Sequence, residues 1–222
     1  MVSKLSITVI ILFVSLVIVL AGIILSLTPT QNTEAGVVAG NVFTYDLKGY
    51  VDANDPNATL PAGFLQLNMT DWYRVTITLV SSSEVHFNTT WRFVNGTEID
   101  RAGKVDLLTG KDNQEFWAIY PANLSINNLV RPLGTDGLIV NDTEVKTYKE
   151  GPRNTNVMTL NTQVVDVEDP TLSRTYIDNL YVHFDKLTGM LVELRYIKLY
   201  SDPQVILTYV WEIEDSNVWA IS

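Results

Sequence analysis

The sequence predicts a mainly β exterior domain behind one N-terminal transmembrane helix. Three observations carry that prediction: an uncharged apolar run from Leu5 to Leu27, period-two alternation of apolar residues through the later chain, and turn signals between the alternating segments. The expected form is an antiparallel curved sheet, a half-barrel or a sandwich, carrying one or two short helices. The chain divides into a cytoplasmic stub at residues 1-4, a transmembrane helix at 5-27, a linker at 28-36 and an extracytoplasmic β-domain at 37-222.

The apolar run is 23 residues long and is interrupted only by Ser6, Thr8, Ser15, Gly22 and Ser26. At ~1.5 Å per residue such a helix covers the ~30 Å hydrocarbon core of a bilayer. A secretory signal has a shorter apolar region of ~7 to 15 residues followed by a small-residue cleavage site. No convincing site lies between Leu25 and Gly36, so the run reads as an uncleaved anchor. Lys4 and the amino terminus are the only positive groups before it, whereas all 25 acidic residues lie beyond Thr33. That asymmetry places the N-terminus inside and the bulk of the chain outside. Thr28 to Gly36 is polar, contains Pro and Gly, and reads as the connecting linker.

Past the linker the apolar period is two. Tyr73, Val75, Ile77 and Leu79 occupy every second position, as a strand with one buried face requires. Val85, Phe87, Trp91 and Phe93 repeat the pattern and leave His86, Asn88, Thr90 and Arg92 on the wet face. Asn95-Gly96 then signals a hairpin, with a strand from Thr97 into Asp106 returning antiparallel. Later, Leu180 to Phe184 leads into the turn-rich Asp185-Lys-Leu-Thr-Gly189; Met190 to Tyr200 comes back, and after Asp202-Pro203 so does Val205 to Ile213, a three-stranded meander. Near Tyr196 the alternation changes phase, from Val192 and Leu194 to Ile197 and Leu199, which calls for a bulge or for burial on both faces. Two short helices are expected, one over Pro61 to Leu67 and one starting at Pro121. Val105 to Gly110 shares an Asp-x-Leu-Thr-Gly pattern with Asp185 to Gly189, read as recurrent hairpin chemistry because the flanks differ too much for a repeat.

The exterior segment carries six Asn-x-Ser/Thr sequons, at Asn57, Asn68, Asn88, Asn95, Asn123 and Asn141, which predict glycosylated surface. There is no cysteine, so burial alone must stabilise the domain. An exported, sequon-rich chain without cysteine points to an archaeal cell surface. Without Lys4, 14 basic residues face 25 acidic ones outside; that surface repels nucleic acid and anionic headgroups.

Chemical constellations are sparse. No thiol nucleophile exists, and two histidines, His86 and His183, do not make a metal site. No Gly-x-Ser-x-Gly, His-Glu-x-x-His or phosphate-binding glycine loop occurs. The acidic loops Asp52 to Asn57 and Asp166 to Pro170 offer oxygen donors but lack calcium-loop spacing, and read as polar loops in which Asp-Pro starts a turn. No cofactor, metal or catalytic residue is therefore expected. Five tryptophans and many tyrosines fall in or beside the strands; most belong to a core, and the remainder are available to line a groove.

The stretches Val42 to Asp46, Tyr120 to Ser125, Lys146 to Tyr148 and Phe184 to Gly189 resemble a broad set of archaeal surface proteins with one N-terminal membrane segment and a β-rich exterior domain. More remotely, a curved sheet with an Asp-x-x-Thr-Gly hairpin resembles the half-barrel lipoproteins of the lipoprotein-localisation-factor type. That resemblance implies acyl chains held on a concave face. The lipobox cysteine of the lipid-modified members is missing, and no functional residues carry over. The expected function is a non-catalytic, membrane-anchored binding module for an apolar ligand or an envelope partner. The alternatives are a structural or adhesive envelope glycoprotein self-associating through strand edges, and an enzyme using convergent carboxylates.

Overall fold

The computed structural model describes residues 33–54, 58–112, 115–165 and 175–221, which fall in one compact unit, Asn32–Ser222. The apolar run at 5–27, the sequon at Asn57 and the acidic loop at 166–170 lie outside the described residues. Among the described residues no helix is long and apolar enough to cross a membrane.

The domain is mainly β, as the alternation predicts. Its elements are β1 (Val42–Ala53), α1 (Ala62–Leu67), β2 (Thr70–Ser81), β3 (Glu84–Phe93), β4 (Glu98–Asp106), β5 (Asp142–Tyr148), β6 (Gly151–Val165), β7 (Thr175–Asp185), β8 (Leu191–Ser201) and β9 (Gln204–Ser216). All nine strands join one antiparallel sheet in the order β4-β3-β2-β1-β9-β8-β7-β6-β5. Among the described residues no second sheet is stacked on it, so the sandwich form is not seen. Two meanders, β1 to β4 and β5 to β9, meet where β1 pairs with β9, and their outer strands β4 and β5 are joined by residues 107–141.

That connection decides which face is buried. It crosses one face of the sheet, here the inner face, carrying Phe116, Ile119, Tyr120, Leu124, Val130 and Val140 into the core. Phe116 packs against rings from four strands: Tyr45 of β1, Tyr73 of β2, Phe87 of β3 and Trp211 of β9. Tyr120 lies on Phe184 of β7 with ring centroids 4.4 Å apart. The segment has little ladder of its own, so its polar backbone groups must find partners elsewhere. Buried Arg131 donates to the carbonyls of Leu107 and Trp117 and lies over the Tyr120 ring, cross-linking the crossing segment to itself.

Two turns dock this segment, and they are built alike. In Asp106–Gly110 and Asp185–Gly189 the Asp Oδ1 accepts from the backbone N–H and the hydroxyl of the Thr three residues on, and the Gly N–H donates back to the Asp carbonyl. Both glycines sit at φ of +73°, where a side chain is strained. A Cβ on Gly189 would also lie 1.9 Å from the Tyr120 carbonyl oxygen, so the turn and the crossing segment touch backbone to backbone. The shared pentapeptide is thus one turn geometry used twice, with no repeat around it.

Several local expectations are corrected. No helix starts at Pro121: Asn123 adopts φ of +56°, and the N–H groups of Ala122 and Asn123 bond to Glu34 and Lys186 in place of a helical ladder. Leu79 does not share the buried face of Ile77, because a bulge between them turns it to solvent and Val80 takes the inner position opposite Val85. Of the two causes expected for the phase change near Tyr196, a bulge or burial on both faces, the bulge is not found there. Register between β8 and β9 is unbroken from Glu193 to Ser201; the irregularity lies earlier, between β7 and β8, where Val192 is the extra residue. Ile197 and Leu199 therefore stand on the outer face, half-buried among neighbouring side chains. Residues 34–36, part of the expected linker, already pack into the fold: a Cβ on Gly36 would lie 1.9 Å from the Leu187 carbonyl oxygen.

Candidate functional site

The inner face is covered at one end by the crossing segment and at the other by α1. Helix α1 starts after Pro61, whose missing N–H is no loss at a helix start, and it buries Phe64 against Gly49, Tyr209 and the cluster of Tyr176, Tyr200, Val205 and Leu207. Between the two covers lies a cleft of about 370 Å³. Its floor is Leu180 of β7, Leu194 and Tyr196 of β8, and Tyr209 and Trp211 of β9, with Leu160 of β6 and Trp117 of the crossing segment as walls. Register explains the convergence: Leu160 pairs with Leu180, Leu180 with Tyr196, and Tyr196 with Tyr209, so one row across four strands points to the same side.

One carboxylate interrupts the apolar lining. Asp178 is only 9 % exposed. Its Oδ2 accepts from the Tyr196 hydroxyl at 2.7 Å, while Oδ1 is buried and has no hydrogen-bond partner among the described residues. Lys198 stands opposite Asp178 in the β7–β8 register but turns its ammonium to the Tyr176 hydroxyl, 3.3 Å away, over the Tyr176 and Tyr196 rings at 4.6 and 5.3 Å. Among the described residues Asp178 forms no ion pair. Desolvation, then the Asp178 carboxylate, holds the Tyr196 phenol far above its ordinary titration range, so it stays a donor to Asp178 at all physiological pH. Sequence reasoning missed Asp178, which sits in an ordinary Tyr-Ile-Asp-Asn strand; only the parity of β7 assigns it to the covered face.

A larger hollow of about 460 Å³ lies on the outer face between Asp46, Lys48, Arg195 and Glu212. Charges of both signs alternate across it, and Lys48 already pairs with Asp46. It has the lining of a solvated face.

The described sequons are all exposed but differ in surroundings. Asn88 stands on the outer face of β3, and Asn95 is in the β3–β4 turn with Gly96 at φ of +85°, where its Oδ1 accepts from Thr97 N–H. Asn123 is in the turn already described. Asn141 Oδ1 accepts from the Thr159 N–H and hydroxyl. Asn68 is the most constrained: its Oδ1 accepts from Gly49 N–H at 2.8 Å and its Nδ2 donates to the Gly49 carbonyl at 3.0 Å. Of the acidic loop after Asp52, the described Asn54 bonds to Gln204. No group of three or more His, Asp or Glu is gathered as for a metal ion among the described residues.

His86 bonds Glu84 on the outer face, as the alternation implies. His183 is more covered than its place between Val182 and Phe184 in an alternating strand implies. The β5–β6 hairpin brings Lys146 onto Glu193 and Glu144 to 3.8 Å from His183 Nδ1, leaving the imidazole 17 % exposed. Burial first, and then the Lys146 charge, lower its pKa below the ordinary 6.5. The unfolded chain therefore takes up this proton at higher pH than the folded one, and stability should fall as pH drops through 6.5 toward the depressed folded value. Urea titrations from pH 7.5 to 5 should show this loss, and His183→Gln should flatten it; an unchanged slope in the variant would contradict the assignment.

Compared with known proteins, the chain matches no family model, no curated protein and no solved structure.

Proposed function

We propose that this chain is a membrane-anchored, extracytoplasmic binding module that holds an apolar molecule in the inner-face cleft. The cleft carries the reading: Leu160, Leu180, Leu194, Tyr209, Trp211 and Trp117 present an apolar hollow of about 370 Å³, within the size range of small-molecule sites. In this reading the nine-stranded sheet curls as a half-barrel around the crossing segment, and residues 5-27 tether it to the bilayer with the sequons facing outward. The competing reading, self-association through strand edges, finds less support. The edge strands β4 and β5 carry Asp100, Arg101 and Lys104, and Asp142, Glu144 and Lys146, the charged type of edge that discourages pairing.

The binding reading is tested with the full chain in lipid nanodiscs and N-phenyl-1-naphthylamine, a neutral dye that brightens in apolar surroundings. Saturable binding above that of empty nanodiscs is expected, weakened about tenfold or more by Leu180→Trp, which fills the floor. Absence of saturable binding, or full binding by the variant, would remove the reading. Glycosylation has its own test. A sugar on a trans secondary amide replaces the Nδ2 hydrogen on the Oδ1 side, the one Asn68 gives to Gly49. Glycopeptide mapping should therefore find Asn88 and Asn95 occupied and Asn68 largely bare; full occupancy at Asn68 would contradict that geometry.

A further inference from the structure

Asp178 is hard to account for as a structural residue. A carboxylate in the same lining as Leu180, Tyr196, Tyr209 and Trp211 loses hydration, and the described residues return one hydrogen bond, from Tyr196, to one of its two oxygens. Leaving a buried acceptor unsatisfied costs about 1–3 kcal/mol, more for a charged one. A fold that needed only an apolar floor here would be served by leucine or asparagine. Lys198, the cation in register with it, is engaged with Tyr176.

Two features of the surroundings match a cation. The unpartnered Oδ1 accepts and does not donate, so its missing partner is an N–H or O–H group; a charged donor forms the stronger bond. The cleft is lined by four aromatic side chains, Tyr196, Tyr209, Trp211 and Trp117, and aromatic rings attract cations over their faces. The same array already holds one ammonium: Lys198 Nζ lies 5.3 Å from the centroid of Tyr196.

We propose that the ligand of this cleft is an amphiphile with a primary ammonium head, which donates to Asp178 Oδ1 and packs beside the Tyr209 and Trp211 rings, while its apolar body lies along Leu180, Leu194 and Leu160. The proposal rests on the cleft being a binding site and adds the chemistry of the head group. Tyr196 is its positioning residue: its hydroxyl holds Oδ2 at 2.7 Å and leaves Oδ1 as the oxygen for the ligand.

Three probes of equal chain length decide it: hexylamine, 1-hexanol and hexanoate at pH 7, titrated against the full chain in nanodiscs of neutral lipid, with empty nanodiscs as control. Binding is read from the fluorescence of Trp117 and Trp211 and from calorimetry. Hexylamine should bind about tenfold more tightly than hexanol, because its ammonium pairs with the carboxylate charge as well as donating a hydrogen bond, and hexanoate should bind weakest. Asp178→Asn keeps the acceptor for Tyr196 and removes the charge; it should cancel the preference for hexylamine over hexanol. Hexanol binding as tightly as hexylamine, or an amine preference that survives in Asp178→Asn, overturns the head-group assignment and leaves the apolar-binding reading standing. Binding of none of the three overturns both. If Asp178→Asn fails to fold, the ranking of the probes on the unaltered protein decides alone.

Discussion

Asp185→Ala should lower the unfolding free energy by about 3–5 kcal/mol, the loss expected when one partner of a buried ion pair is removed. Asp185 is 1 % exposed and satisfies four donors: Arg153 Nε and a terminal guanidinium nitrogen at 2.8 and 3.0 Å, and the Thr188 N–H and hydroxyl at 2.8 and 2.9 Å. Removing it frees the Arg153 guanidinium, which lies over the Trp219 ring 4.3 Å from its centroid, and loosens the turn that docks Gly36, Tyr120 and Asn123. The matching turn provides the control. Asp106 makes the same bonds to Thr109, adds Ser83, is only half-buried, and has no ion pair among the described residues. Asp106→Ala should therefore cost about 1–2 kcal/mol, as hydrogen bonds near solvent do. Equilibrium urea unfolding of both variants checks the contrast; equal losses would show that the turn, and not the buried ion pair, sets the cost.

Phe116→Ala should cost about 3–5 kcal/mol, the usual range for deleting a buried aromatic. Its ring is 3 % exposed and touches rings of β1, β2, β3 and β9, so no single neighbour can relax into the space. Since Trp211 belongs both to this cluster and to the cleft, the truncation should also loosen dye binding, whereas a residue that merely filled a remote part of the core would leave it unchanged. Thermal unfolding and dye titration of one preparation read both effects. A loss below about 1 kcal/mol would mean that the crossing segment is not a core element.

The strands with clean alternation were legible because a half-buried antiparallel strand writes its environment into every second residue. β3, β7 and β9 are of this kind, and so are the turns at Gly96 and Gly189, where a positive φ selects glycine. β6 was not legible: Gly151–Val165 is rich in Asn and Thr, and its Asn156 is buried with its amide bonded to the Leu124 carbonyl, a polar core position that no periodicity announces. The bulge that exposes Leu79 was equally hidden, because nothing in the residues themselves differs from the alternation that precedes it.

By itself the sequence determined the β class, the uncharged run at 5–27 and its charge asymmetry, the positions of the sequons, and the turns, all of which follow from residue type over a few neighbours. The tertiary structure alone decided what covers the sheet. An irregular segment between the two edge strands has no period to read, because its buried residues answer to strands of both meanders, Phe116 to β1, β2, β3 and β9 and Tyr120 to β7, and not to its own backbone. The same holds for the cleft. Leu160, Leu180, Tyr196 and Tyr209 lie apart in the chain and share a row only through the register of four strands, and register is a property of pairing that no single strand carries.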